Sequence, residues 1–232
     1  MLPPFPPPSF SPSCLPPLFL SPFSPCNASN DSERVVAAGY DNGDVKLFDL
    51  RTSSLRHENN VGNGVTSLEF DRWDIPMNKL VITMLESSFL LWRLRGRDSS
   101  ETMEGRVAGT EDKPEGGVVF SIKQKTHHNA TVWSARHLPQ NRDVFVTCGG
   151  EGGLALWQYH YATPSSSSSP STTTPSSTSG PDPGALSLLN ARLLSPQPLV
   201  AFDWHREKTG LCAIASLDQC LRVHLVTRLA TL

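Results

Sequence analysis

A pattern that ends in a ring side chain recurs at a fixed interval, and this regularity constrains the fold more than any other feature. Each copy has an aliphatic residue, two spacers, an apolar residue, one spacer and a ring, as in Val65, Leu68 and Phe70. Further copies begin at Val132 and Leu199, so that successive copies start 67 residues apart. Because a fixed interval indicates one small structure stacked several times, the sequence predicts a repeat architecture.

A second pattern keeps register with the first: an Asp, Glu or Asn is followed six residues later by a ring. Apolar runs rich in β-forming residues surround it, joined by Gly, Asn or Asp residues that suit tight hairpins. No long window shows a competing helical period, so the chain is predicted to be all-β. The four copies are Asn42 to Phe48, Glu86 to Trp92, Glu151 to Trp157 and Asp218 to His224.

Three hairpin-linked strands and an outer fourth strand, repeated, form a β-propeller blade. We therefore predict a partial WD-repeat β-propeller of about four blades over residues 34–228. The 67-residue interval exceeds the ~40–45 residues of a WD unit, and two polar insertions at about 95–117 and 163–184 account for the excess. The second insertion is almost wholly Ser, Thr, Pro and Gly, so we expect a flexible loop.

Residues 1–33 differ from the rest of the chain in composition. Half of the 20 prolines lie before residue 26, and they interrupt every apolar run. Neither a secretory signal nor a membrane span is expected there, because both need an uninterrupted apolar segment. We predict a disordered proline-rich leader, a first blade that lacks its initial strand, and no outer strand from residues 227–232 for the last blade.

Buried ring nitrogens need hydrogen-bond partners, and WD-type blades supply them from a turn carboxylate, a hydroxyl and a histidine. We predict such a structural network in the units that follow the first. Trp133 and Trp204 are expected in the core. The predicted network residues are His128, Thr147, Glu151 and Trp157 in the third unit, Glu86 and Trp92 in the second, and Ser216 and Asp218 in the last, where His224 replaces the Trp.

Charge and motif content indicate which functions to expect. The formal net charge is −2 and the basic residues are scattered, so neither nucleic acid nor membrane is an expected partner. His127, His128 and Glu151 could suggest a metal site, but adjacent strand residues point to opposite sides and chelate poorly. The glycines at 149–153 join two strands, whereas a phosphate-binding loop opens a helix. We predict no catalytic residue, metal or cofactor.

The remaining expectation is a protein-binding role. Propellers commonly bind proteins through the turns between their strands, and three side chains are candidate partner contacts there. They are Trp73, Arg136 and Arg142.

Several strings within residues 35–228 resemble the WD-repeat dynein axonemal assembly factors. They are GYDNGDVKLFDLR at 39–51, SLEFDR at 67–72, MNKLV at 77–81, TVW at 131–133, RHLPQNR at 136–142 and GLC at 210–212. The resemblance implies part of a seven-bladed propeller that acts with RuvB-like ATPases and prefoldin-like co-chaperones. It also implies cytoplasmic preassembly of axonemal dynein arms for ciliary motility, with dynein arm subunits as partners, and a link to apoptosis.

Three alternatives stay open at this point. One is a substrate receptor of a ubiquitin ligase, which is a common use of WD-repeat propellers. Another is a hydrolase built on a propeller, which would need clustered carboxylates or metal ligands at the central channel. The third is a truncated isoform without a function of its own.

Overall fold

The computed structural model describes residues 26–31, 33–72, 74–94, 118–126, 128–161 and 184–229. These ranges hold fifteen β-strands and no α-helix, which confirms the predicted all-β fold. No described segment is a helix of the length and apolar character needed to cross a membrane. The predicted insertion at 95–117 lies outside the described residues, as do residues 1–25 and all of the second insertion except Gly184.

The strands form four antiparallel sheets in chain order, and within each sheet every strand pairs with its sequence neighbour. The first sheet has β1 (Cys26–Asn30), β2 (Val35–Gly39), β3 (Asp44–Asp49) and β4 (Ser54–Asn60). The second has β5 (Val65–Phe70), β6 (Lys79–Met84), β7 (Ser88–Leu94) and β8 (Val118–Lys125). The third has β9 (Val132–Leu138), β10 (Asn141–Gly149), β11 (Gly153–His160) and β12 (Ala185–Leu193). The fourth has β13 (Leu199–Trp204), β14 (Leu211–Ser216) and β15 (Leu221–Leu225).

The first sheet corrects the predicted end of the leader. Cys26–Asn30 pairs along its whole length with β2, so the first sheet has its initial strand and four strands in total. The predicted boundary at residue 33 was wrong because the high proline content was taken to extend over the whole segment. The last proline of the leader is Pro25, and the next five residues can all join a β-ladder. In the fourth sheet the described residues form three strands, with no outer fourth.

In the second, third and fourth sheets, strand register places the rings of both sequence patterns in one cross-strand row. In the third sheet Phe145 pairs with His137 on one side and Trp157 on the other. The corresponding rows are Phe70, Leu80 and Trp92 in the second sheet, and Trp204, Cys212 and His224 in the fourth. The 67-residue interval therefore corresponds to one sheet, as the repeat predicted.

The sheets stack face to face through three apolar cores. The first strands β1, β5, β9 and β13 contact one another in that order, and so form the inner side of the assembly. One core joins the first and second sheets around Leu47 and Trp92, and another joins the second and third around Phe89 and Trp157. The last joins the third and fourth around Val146 and Trp204. Most of the predicted ring residues are thus held between neighbouring sheets.

The strand order divides the connections between two ends of the assembly. Because neighbouring strands are antiparallel, the link from the first to the second strand and the link from the third to the fourth lie at one end. The ends of β7, β8, β11 and β12 that flank the two predicted insertions lie at this end. The turn between the second and third strands and the link to the next sheet lie at the other end, which we call the turn end.

Candidate functional site

The predicted network residues of the third sheet lie together. The Trp157 indole N–H donates to Thr147 Oγ1 at 3.0 Å, and that oxygen lies 3.0 Å from His128 Nε2. His128 Nδ1 lies 2.5 Å from Glu151 Oε1. A carboxylate accepts, so Nδ1 carries the proton and Nε2 accepts from the Thr147 hydroxyl. One continuous chain of hydrogen bonds therefore ties the hairpin turn to the buried ring.

Glycines make room for this network. A Cβ added at Gly149 would lie 2.4 Å from His128 Nδ1 and from a Glu151 carboxylate oxygen. Gly152 has φ of +87°, a backbone conformation that side chains other than glycine rarely adopt. The glycine-rich stretch is thus a hairpin shaped around a histidine and a carboxylate.

The fourth sheet keeps the carboxylate but changes its partners. Ser195 lies 67 residues after His128, and its hydroxyl donates to Asp218 Oδ2 at 2.9 Å. Ser216 also donates to Asp218, and Arg222 binds it through both Nη1 and Nη2. These bonds, chiefly those from Arg222, hold the pKa of Asp218 well below its ordinary value. The predicted pair Ser216 and Asp218 is therefore brought together, while His224 has no part in the network.

The second sheet does not bring its predicted pair together. Trp92 is buried, and the ring of His57 packs edge-on against it with centroids 5.4 Å apart. Glu86 is exposed and accepts from Lys123 and Ser88, each at 3.4 Å. The reason lies in the register, since Ile82 occupies the position that corresponds to Thr147, and no hydroxyl can link turn and ring.

Two of the three predicted partner contacts already have partners inside the fold. Arg142 donates from Nε to Asp71 Oδ2 at 2.8 Å and from Nη2 to the Pro76 carbonyl at 3.0 Å, so it bridges the third and second sheets. Arg136 is partly exposed and its Nη1 lies 2.7 Å from Glu69 Oε2. Burial raises the pKa of Glu69. The third contact, Trp73, lies outside the described residues.

Sequence reasoning missed a buried cluster beside Arg142. The Lys79 side chain is 0% exposed, and its Nζ lies 2.6 Å from Asp143 Oδ1, 2.8 Å from the Tyr161 hydroxyl and 3.7 Å from Asp71 Oδ2. Burial, and then the neighbouring Asp143, raise the pKa of Tyr161 well above its ordinary value. From the sequence alone, a lysine at the start of a strand is expected to be exposed. Lys79 is buried because the neighbouring sheet covers it. The cluster fastens the second sheet to the third.

A β-bulge shifts the register of the first strand in three of the sheets. In the third sheet Val132 pairs with Gly149 and Ser134 with Cys148, which leaves Trp133 as a β-bulge. The same register shift occurs at Thr66 and at Val200, 67 residues to either side. A bulge re-aims its side chain, and Trp133 is accordingly 41% exposed. The expectation that Trp133 belongs to the core is wrong, whereas Trp204 is buried as expected.

Large apolar side chains are exposed at the turn end of all four sheets. Leu85 and Leu217 follow the second strands of their sheets, and they are 48% and 60% exposed. Trp133 covers the corresponding Gly150, since its Nε1 lies 3.2 Å from where a Gly150 Cβ would sit. We call these residues, with two further exposed members, the turn surface. Its members are Tyr40, Leu85, Trp133, Val200 and Leu217.

The part of the chain that the structure describes contains no group of three His, Cys, Asp or Glu side chains arranged to hold a metal ion.

Comparison with known proteins identifies close relatives. No protein-family model matches the chain. Dynein axonemal assembly factor 10, also called monad, is 46% identical to it over 206 residues in Homo sapiens and in Xenopus laevis. The Chlamydomonas reinhardtii protein of that name is 41% identical over the same length. Each match covers 88% of this chain and 51% of the relative, so the chain spans about half the length of the curated relatives it matches.

Solved structures show the same fold at low sequence identity. The Cps50 (Swd1) β-propeller domain of Myceliophteria thermophila superposes with a TM-score of 0.57, at 12% identity, over 89% of this chain and 55% of that one. The computationally designed Ika8 protein superposes with a TM-score of 0.53, at 14% identity, over 87% and 45%. These likenesses confirm the predicted β-propeller fold. The chain thus has the β-propeller fold and, over 88% of its length, is homologous to proteins named dynein axonemal assembly factor 10, at 41–46% identity.

Proposed function

We propose that the chain is a non-catalytic protein-interaction scaffold in the cytoplasmic preassembly of axonemal dynein arms. The observation that carries the proposal is the 46% identity over 206 residues to relatives named dynein axonemal assembly factor 10. In this role the chain acts as an adaptor in assembly particles, where it binds RuvB-like ATPases, prefoldin-like co-chaperones and dynein arm subunits. The implied link to apoptosis stays a prediction from the resemblance.

The inner strands support a scaffold rather than a hydrolase. A hydrolase on this fold needs carboxylates or metal ligands that converge near the channel. The equivalent positions of β5, β9 and β13 hold Glu69, Arg136 and Asp203, and Arg136 binds Glu69 at 2.7 Å. An arginine thus stands between the two carboxylates and neutralises one of them. This arrangement suits a structural ion pair between sheets.

The exposed apolar residues of the turn end also support a binding role. Exposed apolar side chains that gather on one part of a surface commonly mark sites of protein interaction. The turn surface draws at least one such residue from each sheet, including Leu85, Trp133 and Leu217. The apolar cores behind this surface hold it rigid. Little conformational entropy is therefore lost when a partner binds.

Affinity purification from ciliated cells tests the proposal. The tagged full chain is expressed, purified and analysed by quantitative mass spectrometry against an unrelated β-propeller of similar size. We expect RuvB-like ATPases, prefoldin-like subunits and dynein heavy chains to be enriched over that control. Enrichment of cullin-linked proteins instead contradicts the proposal and favours the ubiquitin-ligase receptor. Recovery of nothing above the control contradicts both and leaves the truncated isoform without a function.

A further inference from the structure

We propose that Asn63 is a site of spontaneous deamidation, a modification that converts its amide to a carboxylate in the link between the first and second sheets. The chain contains two Asn-Gly pairs, Asn42-Gly43 and Asn63-Gly64. Asparagine followed by glycine is especially prone to this reaction, because glycine has no side chain to hinder the approach of its backbone nitrogen. The surroundings of the two pairs select Asn63 and protect Asn42. The modification lies outside the proposed scaffold function and does not depend on it.

The reaction is a cyclisation followed by hydrolysis, and water is the other reactant. The Gly64 backbone nitrogen loses its proton to water and attacks Asn63 Cγ. The Cγ–Nδ2 bond then breaks, and Nδ2 takes up a proton and leaves as ammonia. Water opens the resulting five-membered imide at either of its two carbonyl carbons. Attack at Cγ gives an ordinary backbone with an aspartate at position 63, whereas attack at the backbone carbonyl carbon gives an isoaspartyl linkage.

At Asn63 the reacting groups already lie together. The Gly64 N–H donates to Asn63 Oδ1 at 2.7 Å, so the attacking nitrogen faces the side-chain amide. Asn63 also donates a hydrogen bond to the Glu86 carboxylate, and Nδ2 is the donor because a carboxylate only accepts. This bond directs the leaving nitrogen away from Gly64. Two groups held in contact in this way react faster, because the fold has already brought them together.

The backbone at Asn63 has room to close the ring. Asn63 lies between two glycines, and the first of them, Gly62, has φ of +85°. A Cβ added at Gly62 would meet no atom within 4 Å, so open space adjoins this segment. Asn63 is itself partly exposed, which admits the water that hydrolyses the imide. A residue between two glycines changes its backbone torsions at little steric cost.

Asn42 is more exposed than Asn63, but hydrogen bonds hold its reacting groups apart. The Gly43 N–H donates to the Tyr40 carbonyl at 3.0 Å, so it points into the hairpin turn and away from the Asn42 amide. That amide is bound on its other side, where Nδ2 donates to Asp44 Oδ2 at 2.7 Å and Oδ1 accepts from the Asp44 N–H at 3.0 Å. Cyclisation at Asn42 therefore requires these bonds to break first. Exposure alone would select the wrong residue.

Deamidation at Asn63 changes contacts at the turn end. The Gly64 carbonyl accepts from the Leu85 N–H at 3.0 Å, and Leu85 is a member of the turn surface. An isoaspartyl linkage adds one carbon to the main chain directly before Gly64, and so displaces this carbonyl. The aspartyl product replaces the amide that donates to Glu86 with a second carboxylate, so that like charges meet. Either product is expected to weaken the connection between the first and second sheets.

Peptide mapping of the aged chain tests the proposal. The full chain is incubated at neutral pH and physiological temperature, and chromatography with mass spectrometry follows the aspartyl and isoaspartyl products at both pairs. A parallel sample in concentrated urea gives the intrinsic rate of each pair, and we expect the two rates to be similar there. In the folded chain we expect Asn63 to convert about tenfold faster than Asn42 or more, because several hydrogen bonds must open before Asn42 reacts.

Two variants separate the protection of Asn42 from the consequence at Asn63. Asp44→Ala removes the carboxylate that holds the Asn42 amide, and we expect conversion of Asn42 to rise several-fold while that of Asn63 is unchanged. Asn63→Gln keeps an amide but forms its six-membered imide far more slowly. We expect fully converted wild type to melt about 2–4 °C below the fresh protein, and aged Asn63→Gln to melt as it did when fresh. The matched control Asn42→Gln is expected to age as the wild type does.

Three results would overturn the proposed site. They are equal rates at Asn42 and Asn63 in the folded chain, faster conversion of Asn42, and an unmodified Asn63 after a period that fully converts the sample in urea. A fall in melting temperature that aged Asn63→Gln shares with the wild type contradicts the proposed consequence. All of these outcomes leave the scaffold function untouched, since affinity purification tests it separately.

Discussion

The hydroxyl oxygen of Thr147 lies 3.0 Å from the indole nitrogen of Trp157 and 3.0 Å from His128 Nε2, so one small side chain satisfies two buried rings. The Trp157 ring belongs to the second pattern that repeats along the chain, six residues after Glu151. The hydroxyl joins the turn carboxylate Glu151 to the core through His128. Removal of the Thr147 hydroxyl is therefore expected to weaken the hairpin turn at Glu151 and the packing of Trp157 in the core.

Replacement of Thr147 by Val tests this network. The change keeps the shape of the side chain and leaves the Trp157 N–H and His128 Nε2 without their partner. We expect the free energy of unfolding to fall by about 2 kcal/mol, as for other buried groups that lose a hydrogen bond. Urea denaturation measures the difference. The control Thr52→Val changes an exposed turn residue and is expected to lie within about 0.5 kcal/mol of wild type.

Replacement of Lys79 by Met tests the buried cluster between the second and third sheets. The variant leaves Asp143 without the ammonium group 2.6 Å away and removes one cation from the buried Asp71. Breaking such a pair from one side costs about 3–5 kcal/mol. The matched control is Lys46→Met, whose solvent-screened pair with Glu58 is expected to contribute little to stability. Equal losses in thermal or urea unfolding would show that burial of Lys79 is unimportant.

Acidification is expected to destabilise the chain through His137. Burial lowers the pKa of this histidine to about 4, and neither ring nitrogen has a hydrogen-bond partner among the described residues. The unfolded chain, with a histidine pKa of about 6.5, binds the proton first, so stability falls as pH drops from about 6.5 to about 4. The loss over that window is about 3 kcal/mol.

His137→Phe removes this titration and places at residue 137 the ring that the second sheet has at Phe70. Urea unfolding of both proteins at pH 7 and pH 4.5 measures the effect. We expect the variant to lose less stability than wild type between these values. A wild-type pH dependence that the variant retains in full refutes the role of His137.

Cysteine labelling distinguishes exposed from buried thiols in the native chain. Cys148 and Cys212 are buried between the third and fourth sheets, and Cys220 is exposed. Burial raises the pKa of Cys148 to about 12, which suppresses the reactive thiolate at neutral pH. We expect maleimide to modify Cys220 within minutes, and Cys148 and Cys212 only on unfolding, as mapped by mass spectrometry. Native labelling of Cys148 at the rate of Cys220 would indicate that the two sheets separate.

Much of the architecture could be predicted from the order of residues within one repeat. The interval from Phe70 to His137 to Trp204 placed these rings in equivalent rows, because hairpin register depends on short turns and on strand alternation. The network of His128, Thr147, Glu151 and Trp157 also followed from spacing. The pair of Glu86 and Trp92 did not lie together, because Ile82 stands where the connecting hydroxyl is needed.

The remaining features depended on contacts between sheets or strands far apart along the chain. Lys79 is buried by Asp143 and Tyr161 of the next sheet, and Arg142 is held by Asp71 of the preceding one. Trp133 reached the surface through a bulge that only the pairing with β10 reveals. Repeat spacing thus determined which residues share a row, since that information is local to each unit. Burial and exposure were decided by the tertiary structure, because they depend on what the neighbouring sheet places opposite each side chain.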